Sequence, residues 1–270
     1  MINRSISTRE SSQWSIASPA WVPVLFLVLV FLLGGGSRSD IASLPFLRGA
    51  AVLFAFWAAM RMTREDWWRI RVPLSLMLVL CLWMALQLVP LPPAVWHDLP
   101  GRETIVAIDR LLGDVGLWRP LSLTPSQTLN ALLAMTVPIT ALLLAAQMNA
   151  EEYPRLIAAV AIIAAASALL GLIQILSGPG SPAYLYRIAN KDSIIGFFAN
   201  RNHHAIFLAC CIPLVAMLLR DELMRKRKRV LIRVGLALAG ALFAVLTFLI
   251  GSRGGLVAGA CAAFVGYAIV

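Results

Sequence analysis

Long apolar runs dominate this chain, and none of its 13 acidic residues falls inside one. A helix needs about 20 apolar residues to cross a bilayer's hydrocarbon core, with roughly 17–25 tolerated. Runs at residues 20–36, 41–60, 72–89, 126–147, 154–176, 203–219 and 234–250 meet that requirement, and another begins at 255. Backbone groups in lipid must bond within their own segment, and these runs are too long for barrel strands. The predicted fold class is therefore all-α: a polytopic transmembrane helix bundle of about eight spans, the last one incomplete. A composition of 60% hydrophobic and 13% charged residues excludes a soluble domain, which could not hide so much apolar surface.

Charge sets the expected orientation. Of 23 basic residues, fourteen fall on one set of alternating connections and nine on the other. The densest clusters, residues 61–71 and 220–233, are separated by four predicted spans and so share a side, which the positive-inside bias makes cytoplasmic. Residues 1–19 are then a cytoplasmic N-terminal segment, and residues 20–270 form the transmembrane domain. The run Arg225-Lys226-Arg227-Lys228-Arg229 reads as a topology anchor touching anionic lipid, not as a nucleic-acid patch, despite the net charge of +10. The first run reads as an uncleaved signal anchor, because Gly34-Gly35-Gly36-Ser37 offers no A-x-A site. The last run reaches Tyr267-Ala268-Ile269-Val270 without a flanking charge, so the sequence is expected to be the front part of a longer protein.

Three connections lie opposite the basic clusters. In the first, near residues 90–125, Ile105, Ile108, Leu111, Leu112, Val115 and Trp118 recur at helical spacing. They predict an amphipathic helix, either lying in the membrane interface or packed on the rest of the protein. Thr124, Pro125 and Gln127 read as the cap, first position and capping-box partner of the next span. The second connection, near residues 177–202, opens on helix breakers and closes on Gly196-Phe197-Phe198-Ala199-Asn200-Arg201-Asn202-His203-His204. The third is the tight turn Gly251-Ser252-Arg253-Gly254-Gly255.

These two motifs are where chemistry can reside. Glycines let a ligand approach the backbone, and a following helix directs its positive dipole end and free N–H groups to the same point. Arg253 adds a planar fork suited to phosphate, and Ser252 a hydroxyl beside it. Arg201 has the same setting, with Asn202 expected to cap a helix starting near His203. Asn200 and Asn202 can read sugar hydroxyls, and Phe197 and Phe198 offer apolar surface. His203 or His204 can act as acid or base near neutral pH. Adjacent histidines point about 100° apart on a helix, and no carboxylate is nearby, so no metal site is expected. Cys81, Cys210, Cys211 and Cys261 lie inside runs, at spacings that fit neither zinc nor a disulfide framework. The bland alternatives are a turn whose arginine snorkels to headgroups and ordinary interfacial polarity.

The order Phe198-Ala199-Asn200-Arg201-Asn202-His203, apolar span, basic turn, apolar span, Gly251-Ser252-Arg253-Gly254-Gly255 resembles the O-antigen ligase/polymerase family. Leu121-Ser122-Leu123-Thr124-Pro125 is similar to an earlier part of that family, so the resemblance covers about residues 121–270. It implies a bacterial inner-membrane protein that transfers glycan from an undecaprenyl-diphosphate carrier on the periplasmic side, to lipid A–core or a growing polysaccharide. It implies a diphosphate held by Arg201 and Arg253; Asn200, Asn202, His203 and Ser252, beside them in the same motifs, are the residue-based candidates for the rest of the diphosphate and glycan site. No cofactor is implied. The acceptor-activating histidine of the family belongs to a later periplasmic loop, beyond Val270, so the catalytic residue is unknown here and these 270 residues alone are expected to be inactive.

Two other readings stay open: a lipid-linked glycan flippase or transporter, and a non-catalytic membrane subunit. Ion-coupled transporters place ionisable groups within their spans, whereas here the interiors hold Gln87, Asn130 and Gln174, with Arg48 near an outer end.

Overall fold

A computed structural model describes residues 21–36, 38, 40–226 and 229–269. The expected N-terminal segment 1–19, and Arg227, Lys228 and Val270, lie outside the described residues. In chain order the helices are α1 (Trp21–Leu33), α2 (Ser43–Arg61), α3 (Arg64–Gln87), α4 (Pro93–Trp96), α5 (Glu103–Leu112), α6 (Pro125–Ala134), α7 (Thr136–Ala146), α8 (Tyr153–Ser177), α9 (Arg201–Met224), α10 (Val230–Leu249) and α11 (Arg253–Ile269). The fold is mostly helical, with one departure from the all-α expectation. Two short strands, β1 (Pro90–Leu91) and β2 (Arg119–Pro120), pair antiparallel inside the 90–125 connection.

Among the described residues, five helices are long and apolar enough to cross a membrane: α2, α3, α6 with α7, α8 and α10. The eight expected spans are not all of that kind. α1 covers 13 residues and α11 covers 17, giving roughly 20 and 25 Å against a hydrocarbon core of about 30 Å. α9 has 24 residues, but Arg201 to His204 at one end and Arg220 to Glu222 at the other shorten its apolar middle.

Local chemistry explains several boundaries. The run at 126–147 breaks at Met135 because Pro138 has no N–H for the Ala134 carbonyl, whose place its ring crowds. Thr124 precedes Pro125 as foreseen, but its side chain makes no capping bond; Ser122 Oγ instead accepts from the Thr124 N–H at 3.2 Å and pairs with Thr128 Oγ1. The reciprocal capping box is at the start of α3, between Thr63 and Asp66.

Two cores form. In one, Val22 and Phe26 of α1, Ala51 and Ala58 of α2, Ile70 of α3, and Leu143 and Leu144 of α7 are buried together. Thr140 Oγ1 donates to the Ala51 carbonyl at 2.8 Å, and Gln147 Nε2 to the Ala58 carbonyl at 3.2 Å, which ties α7 to α2 where only alanine separates the backbones. In the other, Ala161, Ala164 and Ala168 of α8 meet Ala205, Leu208, Cys211 and Val215 of α9, and Phe243 and Leu246 of α10. The alanines recur every three or four residues, so they form one small-residue stripe that lets α9 approach closely. α1 bridges the halves by touching α2, α7 and α8.

Candidate functional site

The 177–200 segment returns into the bundle instead of arching over it. Ser193, Ile194, Ile195 and Gly196 are buried, and α8 holds them through its own polar side chains. Gln174 is fully buried; its Nε2 donates to the Ala183 and Gly196 carbonyls, each at 2.9 Å, and its Oε1 accepts the Gly196 N–H at 2.8 Å. Ser167 Oγ accepts the Phe197 N–H at 3.2 Å. Ser167 and Gln174 lie ten and three residues before the end of α8, so the segment re-enters roughly 5–15 Å below that end. Gly196 has φ +54°, and a Cβ there would lie 2.2 Å from Ser167 Oγ and 2.5 Å from its carbonyl oxygen. Only glycine fits that position.

On its other side the segment meets the glycines after α1. Ala199 N–H donates to the Gly35 carbonyl at 2.9 Å, and a Cβ at Gly35 would lie 1.8 Å from the Phe197 carbonyl oxygen. Gly35 is thus a docking notch for the Phe197 backbone. Tyr186 places its hydroxyl against Gly35, and burial pushes that phenol above its usual pKa.

The re-entrant segment delivers the start of α9. Asn200, not Asn202, is the cap: its Oδ1 accepts the Asn202 N–H at 2.8 Å, and α9 therefore begins at Arg201. Asn190 Oδ1 accepts the Arg201 N–H at 3.1 Å. The side chains of Arg201, Asn202 and His203 are exposed. Of the two histidines, His203 lines an open groove, whereas His204 is fully buried. His204 Nδ1 lies 3.1 Å from the Ile194 carbonyl, which can only accept, so Nδ1 carries the proton; the ring also stacks on Phe198. That makes His204 a strut between α9 and the re-entrant segment.

Ser252 is buried, and its Oγ accepts the Gly255 N–H at 3.1 Å, capping α11; Arg253 is exposed in the first turn. The two helix starts lie side by side, since a Cβ on Gly255 would approach Ala205 Cβ to 2.6 Å and Gly254 faces Ile206. α9 and α11 run in the same direction, both antiparallel to α10 between them in the chain. Arg201 and Arg253 therefore occupy first turns at the same end of the bundle, with two positive helix ends beside them.

The groove next to this pair has a volume of about 330 Å³ and is lined by Val30, Phe31, Gly34, Gly35, Phe197, Phe198, His203, Ile206 and Phe207. Phe31, Phe198 and Phe207 form its aromatic wall, with centroids 4.8–6.3 Å apart. Phe197 and Phe198 were legible in the sequence as apolar surface. Phe31, Phe207, Gln174 and Ser167 were not singled out for the site; a glutamine and a serine inside an otherwise apolar run were the available signal. Among the described residues no group of three or more His, Cys, Asp or Glu side chains is placed to hold a metal ion. No protein-family model, curated protein or solved structure matches the chain.

Proposed function

We propose that this protein binds a polyprenyl-diphosphate-linked glycan at the common end of α9 and α11 and takes part in transfer of that glycan to lipid A–core or a growing polysaccharide. The reading extends the O-antigen ligase/polymerase resemblance, with the periplasmic face of a bacterial inner membrane as its setting. One observation carries it. Two helix starts, each with an exposed arginine in the first turn, adjoin an apolar aromatic groove that opens beside His203. A diphosphate on an isoprenoid tail needs that combination, an anion site beside a greasy channel.

The chemistry follows from electrostatics. As the glycan leaves, negative charge collects on the diphosphate, and guanidinium groups with helix-end N–H groups stabilise it without rearranging. Asn202 and His203 are exposed beside Arg201 and can meet the sugar, while Asn200 and Ser252 hold the backbone that aims the arginines. The test is binding of fluorescent undecaprenyl diphosphate to the purified protein in nanodiscs. Arg201→Glu and Arg253→Glu should each abolish saturable binding, and the lysine versions should weaken it by losing the bidentate fork. Unchanged affinity in the double glutamate variant would reject the site.

A further inference from the structure

We infer that the 90–125 connection is a membrane-docking unit, whose apolar crest (Ile108, Leu111, Leu112, Val115 and Trp118) enters the acyl region of the bilayer this protein occupies. This inference is independent of the glycan reading.

The unit folds around its polar groups. Trp96 is buried, its Nε1 donates to the Pro120 carbonyl at 2.8 Å, and the Arg102 and Arg119 guanidinium carbons lie 5.1 and 5.8 Å from its ring centroid. Arg119 makes two bonds to the Asp109 carboxylate, and Arg102 donates to the Leu121 carbonyl. Asp109 is 3% exposed, so this charged pair fixes which side of α5 faces inward. The helix then presents three stripes. Val106 and Asp109 point in; Glu103, Ala107 and Arg110 form an exposed, mainly polar stripe; Ile108, Leu111 and Leu112 form an exposed apolar one that includes Thr104, and past the Gly113 cap Val115 and Trp118 add exposed apolar surface. Leu111 is 87% exposed, Leu112 69% and Trp118 64%. α5 cannot roll to hide them without breaking the Asp109–Arg119 pair. Separate polar and apolar exposed faces on one helix suit a water–lipid boundary.

The position of the unit names the occupant. The Ser122 N–H donates to the Gln87 carbonyl at 3.0 Å, so the unit is stapled across the end of α3 and the entry to the α6–α7 segment, both of membrane-crossing length. The end of α3 exposes Trp83 and Leu86, and Val89 is exposed between it and β1, which pairs with the strand that follows Trp118. The crest therefore continues a lipid-facing surface, and aromatic side chains such as Trp118 favour that depth.

The native protein is reconstituted in nanodiscs containing a phospholipid with a diazirine at mid-acyl chain, irradiated, and mapped by mass spectrometry. Carbene adducts should fall on Ile108, Leu111, Leu112, Val115 and Trp118, and be absent from Glu103, Arg110 and Asp114. A second measurement uses environment-sensitive fluorophores on Leu112→Cys and Arg110→Cys in a background without the four native cysteines. The probe at 112 should emit further to the blue and be quenched by acyl-chain nitroxide; the probe at 110 should be quenched by aqueous nickel chelate. Equal aqueous quenching at both positions would overturn the inference. So would adduct-free crest residues accompanied by cross-links between crests of two copies, which would make the surface an interface between chains.

Discussion

Replacing Gln174 by Leu tests the re-entrant segment directly, because one side chain satisfies three backbone groups there. Leucine has similar bulk, so the main loss is polar. The Gly196 N–H and C=O, both at a buried residue, would lose their partner. Each unsatisfied buried group costs about 1–3 kcal/mol, giving roughly 2–6 kcal/mol for the pair. That cost falls on one segment while the helix cores are intact, so local opening should precede global unfolding. At about 1.4 kcal/mol per tenfold, the opening equilibrium rises on the order of 30- to 10⁴-fold. Amide hydrogen exchange of the protein in nanodiscs measures this. The Gly196, Phe197, Phe198 and Ala199 amides should exchange faster by that range, with Ala161–Ala168 and Leu208–Val215 unchanged. Since the segment leads into Arg201, carrier binding should weaken as well. Wild-type exchange at residues 196–199, or an equal increase through every helix, would refute the reasoning.

Gly196→Ala and Gly35→Ala should each lower thermal stability, Gly196→Ala combining about 1 kcal/mol or more of left-handed strain with a clash against Ser167; wild-type melting of either variant would contradict the packing described. Trp96→Ala should cost about 3–5 kcal/mol within the 90–125 unit and expose its backbone to limited proteolysis, leaving the helices protected. Burial raises the Tyr184 phenol, helped by Asp192, and the Tyr186 phenol. A raised folded-state pKa means the contribution is intact below the ordinary value of 10.0 and is lost as pH climbs past it; exchange in residues 184–199 should be flat from pH 7 to 9 after correction for intrinsic rates, then rise, and Tyr186→Phe should blunt that rise. For topology, cysteines placed at Asp114, Ser181 and Arg225 in a cysteine-free background should react with an impermeant thiol reagent at 114 and 181 and stay protected at 225 in intact, outer-membrane-permeabilised cells; the reverse pattern would invert the orientation.

The sequence by itself determined that this is a mostly helical chain with several helices long and apolar enough to cross a membrane, because the spacing of apolar residues and the exclusion of acids from them are local properties. It also placed helix starts within two residues of Arg201 and Arg253, from polar residues and glycines adjacent in sequence, although it gave the first cap to Asn202. Other features depended on partners far along the chain. Gln174 reads as an isolated polar residue until Gly196 is brought against it, and Gly35 reads as part of a loop until the Phe197 carbonyl is packed against it. Asn200 rather than Asn202 is the cap because its Oδ1 meets the Asn202 N–H while Asn190, eleven residues before Arg201 in the re-entrant segment, takes the Arg201 N–H. The paired arrangement of α9 and α11 likewise depended on Gly255 meeting Ala205. Periodicity specifies which residues leave water, but not which distant backbone their polar minority must satisfy. That choice is made only when the helices pack, since a buried N–H or C=O without a partner costs enough free energy to select one arrangement over its neighbours.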